Sequence, residues 1–267
     1  MSGSSFDVFG IQIASMRDHD LAARIESWAG GGAGHFVCFS DTHSIVKGHD
    51  EPDMGAALAQ ADLVIPDGHP IAWIGRKLFG LPVQRTCGPD FLDFLMDRSQ
   101  QTGLRHYLFG GKAGVVNDLA AMLSKRYPDL SIVGFESPAM GPSSQGDITD
   151  QLARIVAAKP DVVWVGLGAP KQEIWMAAHR GQLPGITLCG VGAAFDFHAG
   201  RIRRAPVWMQ NHGLEWLYRC LSEPRRLGPR YLRIAPRFLF LLAQQAWALS
   251  RPSSEAGLKR RLIRTKA

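Results

Sequence analysis

Six short apolar runs, each stopped by a turn signal, constrain this chain more than any other feature. They are Phe36-Val37-Cys38-Phe39, Leu63-Val64-Ile65, His106-Tyr107-Leu108-Phe109, Ser131-Ile132-Val133-Gly134, Asp161 to Leu167, and Ile186 to Val191. All six read as buried parallel strands. Between them, Pro89 to Ser99, Gly114 to Tyr127 and Ile148 to Lys159 carry apolar residues at helical spacing. Strand and helix in alternation predict an α/β fold with a doubly wound, mainly parallel sheet of Rossmann-like type. With 267 residues, 46% of them hydrophobic, the chain can bury a sizeable core, and collagen-like repeats or disorder throughout are excluded.

From about residue 205 the pattern turns to helices only. One is predicted from Pro206 to Cys220 and another from Pro229 or Tyr231 to Leu249. The expected division is an α/β catalytic domain over 1–204, a basic helical appendage over 205–250, and a disordered basic tail over 251–267. Charge supports the break. Residues 1–200 hold 15 Lys/Arg against 21 Asp/Glu, a net of −6, whereas 201–267 hold 15 against 3, a net of +12. Such asymmetry implies an anionic partner: nucleic acid, an acidic membrane surface or a phosphate-rich ligand. The longest late apolar run, Phe238 to Ala243, is far short of the roughly 18–20 residues that span a bilayer, so no transmembrane helix is expected. The first apolar stretch is broken by Asp7, Arg17, Asp18 and Asp20, which argues against an export signal. Cysteines at 38, 87, 189 and 220 form no CxxC and pair with no histidine cluster. They suit a reducing cytoplasm and point away from zinc.

Several turns after strands can carry chemistry. Phe109-Gly110-Gly111-Lys112-Ala113-Gly114 and Gly166-Leu167-Gly168-Ala169-Pro170-Lys171-Gln172-Glu173 are glycine-bearing strand-to-helix turns. Either could be a tight turn and nothing more; two on the carboxyl edge of one sheet suggest a nucleotide crevice. Asp67, in Pro66-Asp67-Gly68, can be a general base, a metal ligand or a helix N-cap. No second acid completes a metal pair there. Asp196 and His198, set between Phe195 and Phe197, can be site groups or a structural hydrogen-bond network. Arg201, Arg203, Arg204, Arg219, Arg225, Arg226 and Arg230 suit a diphosphate.

Taken together these segments resemble the WecG/TagA/CpsF glycosyltransferases, glycosyltransferase family 26. The resemblance covers roughly residues 35–235. It is carried in order by 61–68 with its Pro-Asp-Gly, Gly88-Pro89-Asp90, Tyr107 to Gly111, Val163 to Glu173, Gly190 to Phe197, Glu215 to Arg219, and Glu223-Pro224-Arg225-Arg226. It implies inverting transfer of a sugar from a UDP-sugar to a polyprenyl-diphosphate-linked acceptor, without an essential metal or other cofactor, in bacterial surface or extracellular polysaccharide synthesis. It implies Asp67 as general base, with Arg85 and Gln172 at substrate-binding positions and Arg219, Arg225, Arg226 and Arg230 near the diphosphate or membrane. Ser40, Gly110, Gly111, Gly168 and Asp196 complete the expected substrate-binding set. Many members have Thr and Asn where Cys38-Phe39-Ser40-Asp41 stands here, so the donor or acceptor sugar can differ.

The expected enzyme lies on the inner face of the plasma membrane and is cytoplasmic and peripheral. Its partners are the donor, the lipid-linked acceptor and an anionic membrane surface, not nucleic acid, because the basic block lacks a reading motif. A homo-oligomer is compatible with the sequence. The alternative is a non-catalytic nucleotide-sugar-binding or membrane-docking module of the same fold.

Overall fold

The computed structural model describes residues 4–138 and 144–251. An antiparallel hairpin opens the chain, β1 (Ser4–Val8) and β2 (Ile11–Ser15). Next come α1 (Asp18–Trp28), β3 (His35–Ser40), α2 (Thr42–Asp50), α3 (Pro52–Gln60), β4 (Leu63–Pro66) and α4 (His69–Leu78). After a coil follow α5 (Gly88–Thr102), β5 (Arg105–Gly110), α6 (Val115–Arg126), β6 (Ser131–Glu136) and α7 (Gln145–Ala158). Then come β7 (Val162–Gly166), α8 (Lys171–His179), β8 (Thr187–Gly190) and α9 (Ala194–His198). Three further helices close the described chain: α10 (Val207–Asn211), α11 (Glu215–Ser222) and α12 (Pro224–Ser250).

Strands β3 to β8 form one parallel sheet in the order β4-β3-β8-β7-β5-β6, the predicted α/β fold. Five of the apolar runs show no polar alternation because both faces are covered, and the period of two sorts side chains between two cores. The sixth departs from the expectation of a buried strand: β6 lies at the sheet edge, is only partly buried, and leaves Phe135 exposed. Phe36, Cys38, Tyr107, Phe109, Val163, Val165 and Leu188 enter one core with the hairpin, α2, α3 and α8. Val37, Phe39, Leu108, Val162, Trp164 and Cys189 enter the other with α1, α5 and α6. The crossover after β5 runs outward to β6, and that after β7 runs the opposite way to β8. Their helices therefore lie on opposite faces: Met176 of α8 packs in the first core, and Val115 and Leu119 of α6 in the second. The carboxyl ends of β5 and β7 thus flank a topological switch point, the place where an open α/β sheet leaves a crevice for ligand.

The sequence reading missed the hairpin and misplaced the late helices. Gly213, at φ +74°, ends α10, so the single helix expected over 206–220 is two. Helix α12 starts earlier than expected and includes Pro229 and Pro236, each of which removes an N–H donor. Side-chain contacts to the core hold it: the Phe9 and Phe238 rings lie 5.5 Å apart, Arg237 forks onto Asp50, and Gln245 donates to the Asp7 carbonyl at 2.8 Å. The Gly110-Gly111 turn does not itself open a helix, since α6 begins only at Val115. Of the expected tail, residues 252–267 lie outside the described residues. All four cysteine thiols are unpaired, and among the described residues no helix is long and apolar enough to cross a membrane.

Candidate active site

Asp67 sits directly after β4. Its N–H donates to the Ser40 carbonyl at 3.0 Å, and Thr86 N–H donates to the Pro66 carbonyl at 3.2 Å. The second bond lays the coil after α4 along the sheet edge and brings Arg85 and Cys87 to the carboxylate. Helix α4 is capped by Gly68, at φ +100°, without a side-chain cap bond. Asp67 is therefore not the N-cap. It is partly buried, with Oδ2 3.5 Å from the Gly88 N–H. Burial pushes its pKa up to about 6, with Arg85 opposing the rise and Asp41 adding to it. Among the described residues no three His, Cys, Asp or Glu side chains converge as a metal cluster.

Asp41 faces the same crevice from the end of β3. One oxygen caps α2 by accepting the Ser44 N–H at 2.9 Å, and the other lies 3.9 Å from Arg230. Two residues on, burial and the Arg230 charge lower the pKa of His43 to about 4, so its ring is neutral near pH 7. Its Nδ1 is buried without a partner, as are the Ser40 hydroxyl and one Glu173 oxygen.

The two glycine turns are held by internal bonds. Gly111 N–H donates to the Gly166 carbonyl at 3.0 Å. Gln172 is buried, and its Oε1 accepts from Gly168 N–H at 3.2 Å and Gly192 N–H at 3.0 Å, tying the turn after β7 to the turn after β8. Its Nε2 donates to Glu173 at 2.9 Å. These amides are therefore engaged within the protein, unlike the open phosphate cradle that the turns suggest in sequence. Burial raises the Glu173 pKa as well.

The C-terminal helices bring arginines over this edge. Arg85 donates to Glu215 at 2.8 Å, and Arg204 approaches the other Glu215 oxygen at 3.4 Å while pairing with Asp90. Arg219 lies 5.3 Å from the Phe197 ring centroid with its Nε buried and unpartnered. Arg230 reaches Asp41, and the Tyr231 ring lies 5.7 Å from that of Trp216. Arg226 is spent on Glu223 at 2.5–2.8 Å, and Arg225 is exposed. Asp196 is partly buried in α9, with its backbone carbonyl taking the Arg201 and Ile202 N–H groups, and His198 bonds the Pro89 carbonyl at 2.9 Å.

Ser40, Asp67, Arg85, Arg219 and Arg230 are thus gathered at one edge. The sequence reading did not single out Asp41, His43, Glu173, Glu215 or Tyr231. Glu173 and Glu215 stood inside segments already noted, and their burial was the missing signal; His43 had none.

A family model described as glycosyl transferase WecG/TagA/CpsF matches residues 6–252. Over 220 residues, 82% of each chain, the sequence is 28% identical to an N-acetylglucosaminyldiphosphoundecaprenol N-acetyl-beta-D-mannosaminyltransferase of Bacillus spizizenii. Because the family match spans the parallel sheet, the Asp67 edge and the arginine-bearing helices alike, the chain belongs to the WecG/TagA/CpsF glycosyl transferase family and is a hexosyltransferase.

Proposed function

We propose that the enzyme moves a hexosyl group from a UDP-sugar to an N-acetylglucosaminyl-diphospho-polyprenol acceptor, with inversion, in bacterial surface polysaccharide synthesis. The carrying observation is a partly buried carboxylate of raised pKa, Asp67, on the sheet edge where Arg85, Arg219 and Arg230 converge. Asp67 takes the proton of the acceptor hydroxyl, whose oxygen attacks the anomeric carbon. The bond from that carbon to the diphosphate oxygen breaks, and UDP departs with the electron pair. The arginines stabilise the charge on the departing diphosphate. Gly110, Gly111 and Gly168 serve by lacking side chains at the crevice, Gln172 by bracing two turns, and Ser40 as a hydroxyl on its floor. Asp196 with Arg225 and Arg226 borders it. Radiolabelled transfer from a panel of UDP-sugars to the lipid-linked acceptor tests this reading; a folded enzyme releasing no UDP with any pair overturns it.

The charge of the leaving group is assigned to arginines, so transfer is expected to persist in excess EDTA. Activity abolished by chelation and restored by magnesium or manganese would show that the arginines do not suffice. Modest stimulation is compatible, since free cations screen UDP and lipid phosphates.

Residues 205–250 are proposed as the appendage that docks on the anionic inner leaflet of the plasma membrane. Of the leucines in the run 238–243, Leu241 and Leu242 pack on the core and only Leu239 faces outward: Leu241 is 4% exposed and Leu239 62%. The outward apolar stripe is Leu232, Leu239, Phe240 and Trp247, recurring every seven or eight residues, with exposed Arg233 beside it. Truncation before Arg230 would strip Phe238 and Leu241 from the core, so replacement is the cleaner test. Changing all four stripe residues to Ser should weaken binding to anionic liposomes more than about tenfold, given about 1.5–3 kcal/mol for each fully buried large apolar side chain. UDP affinity should be kept. Unchanged liposome binding would sink the docking claim.

A further inference from the structure

We propose that Glu215 is a positioning residue for the base: it takes the Arg85 guanidinium into an ion pair and so holds that cation off the Asp67 carboxylate. The inference rests on the reading of Asp67 as general base. Arg85 donates through Nη2 to Glu215 Oε2 at 2.8 Å, both side chains being largely shielded from water. No ion pair joins Arg85 to Asp67 among the described residues, although Arg85 is the group that most strongly opposes the rise in the Asp67 pKa. Glu215 is fixed in turn by Arg204, which lies 3.4 Å from its other oxygen and is anchored on Asp90. A chain of alternating charges therefore runs from α5 through Arg204 to the first turn of α11 and back to the coil beside Asp67.

An opposite charge at about 4–6 Å lowers an Asp pKa by about 1–3 units. A carboxylate clasped by Arg85 would be a poor base, and an arginine neutralised by that carboxylate would have less charge to offer a diphosphate. Pairing with Glu215 avoids the first outcome. The Arg85 Nε is left buried and unpartnered. The other groups facing Asp67 are Cys87 from the same coil, the Gly88 N–H of α5, and Asp41 at the head of α2, which carries Arg230 of α12. His69 of α4 is turned to the Gln210 carbonyl at 2.8 Å.

The test is Glu215→Gln, read by the acidic limb of kcat/KM against pH and by the ¹³C titration of the Asp67 carboxyl. Both should move to lower pH by about one unit or more, and Glu215→Asp should restore the limb. Arg85→Gln should move the titration upward. In that background Glu215→Gln should shift it much less, which separates action through Arg85 from the direct field of Glu215. The double variant removes both charges, so it also serves if Glu215→Gln alone does not fold. An Asp67 titration unmoved by Glu215→Gln, or moved equally with Arg85 absent, overturns the proposal. An acidic limb that persists in active Asp67→Asn enzyme overturns the base reading instead, while the carboxyl titration still scores the ion pair.

Discussion

Asp67→Asn should lower turnover by about 10²–10⁴-fold, the span typical of losing a general base, with donor affinity little changed. Asparagine keeps the shape and can still accept the Gly88 N–H, but it cannot take the hydroxyl proton. In the parent enzyme, activity should fall as pH drops through about 6, where the carboxyl protonates. The residual activity of the variant should lack that limb. Stability should move the other way. The folded pKa of Asp67 is raised above the ordinary carboxylate value of 3.8, so its favourable contribution is full below about 4 and lost as pH rises through about 6. The variant should therefore melt no lower than the parent at pH 8, and its relative advantage should shrink toward pH 4. A folded Asp67→Asn enzyme turning over near the normal rate would remove Asp67 from the role.

Gly110→Ala should be the most damaging of the glycine substitutions at the crevice. A Cβ there would lie 2.6 Å from the Gly166 carbonyl carbon and 2.8 Å from its nitrogen and oxygen, and Gly110 sits at φ +125°. The obstacle is backbone of the neighbouring strand, held by the Gly111 N–H bond to the same carbonyl, so no side chain can turn aside. Strain of about 1–2 kcal/mol from the backbone conformation and about 1–3 from over-packing should lower Tm by about 5–15 °C. Gly168→Ala is the control. It has φ +77° but nothing within 4 Å of a Cβ, so it should lose only the conformational part, a few degrees. Equal melting of the two variants would show that the close approach of β5 and β7 is not what requires glycine at 110.

Five of the six parallel strands were legible because burial on both faces writes itself as uninterrupted apolar runs, while the edge strand β6 showed itself by Ile132 and Val133 although it is only partly buried. The first hairpin was not. Phe6, Val8, Ile11 and Ile13 alternate as a half-buried pair should, but the run is short and ends in charges that look like the start of a polar surface. Within the C-terminal region, Leu239 and Leu241 are indistinguishable in composition. Only the seat of α12 on Phe9, Asp50 and Asp7 separates the core-facing side from the outward one.

Asp67 and the glycine turns could be placed from sequence because each directly follows a strand, and in a parallel sheet all such positions share one edge. That Asp67 does not cap a helix was decided by folding: Gly68 takes the cap, burial raises the pKa of the carboxyl, and the Arg85 charge limits that rise. The same holds for the charges. The basic bias after residue 200 is a property of the sequence, but the partner of each arginine is a matter of distance. Arg226 meets Glu223 three residues away, whereas Arg85 meets Glu215 across 130 residues. Periodicity and local spacing record burial and chain direction. Pairings between remote side chains, and the pKa values that depend on them, arise only once the helices dock on the sheet edge and exclude water from it.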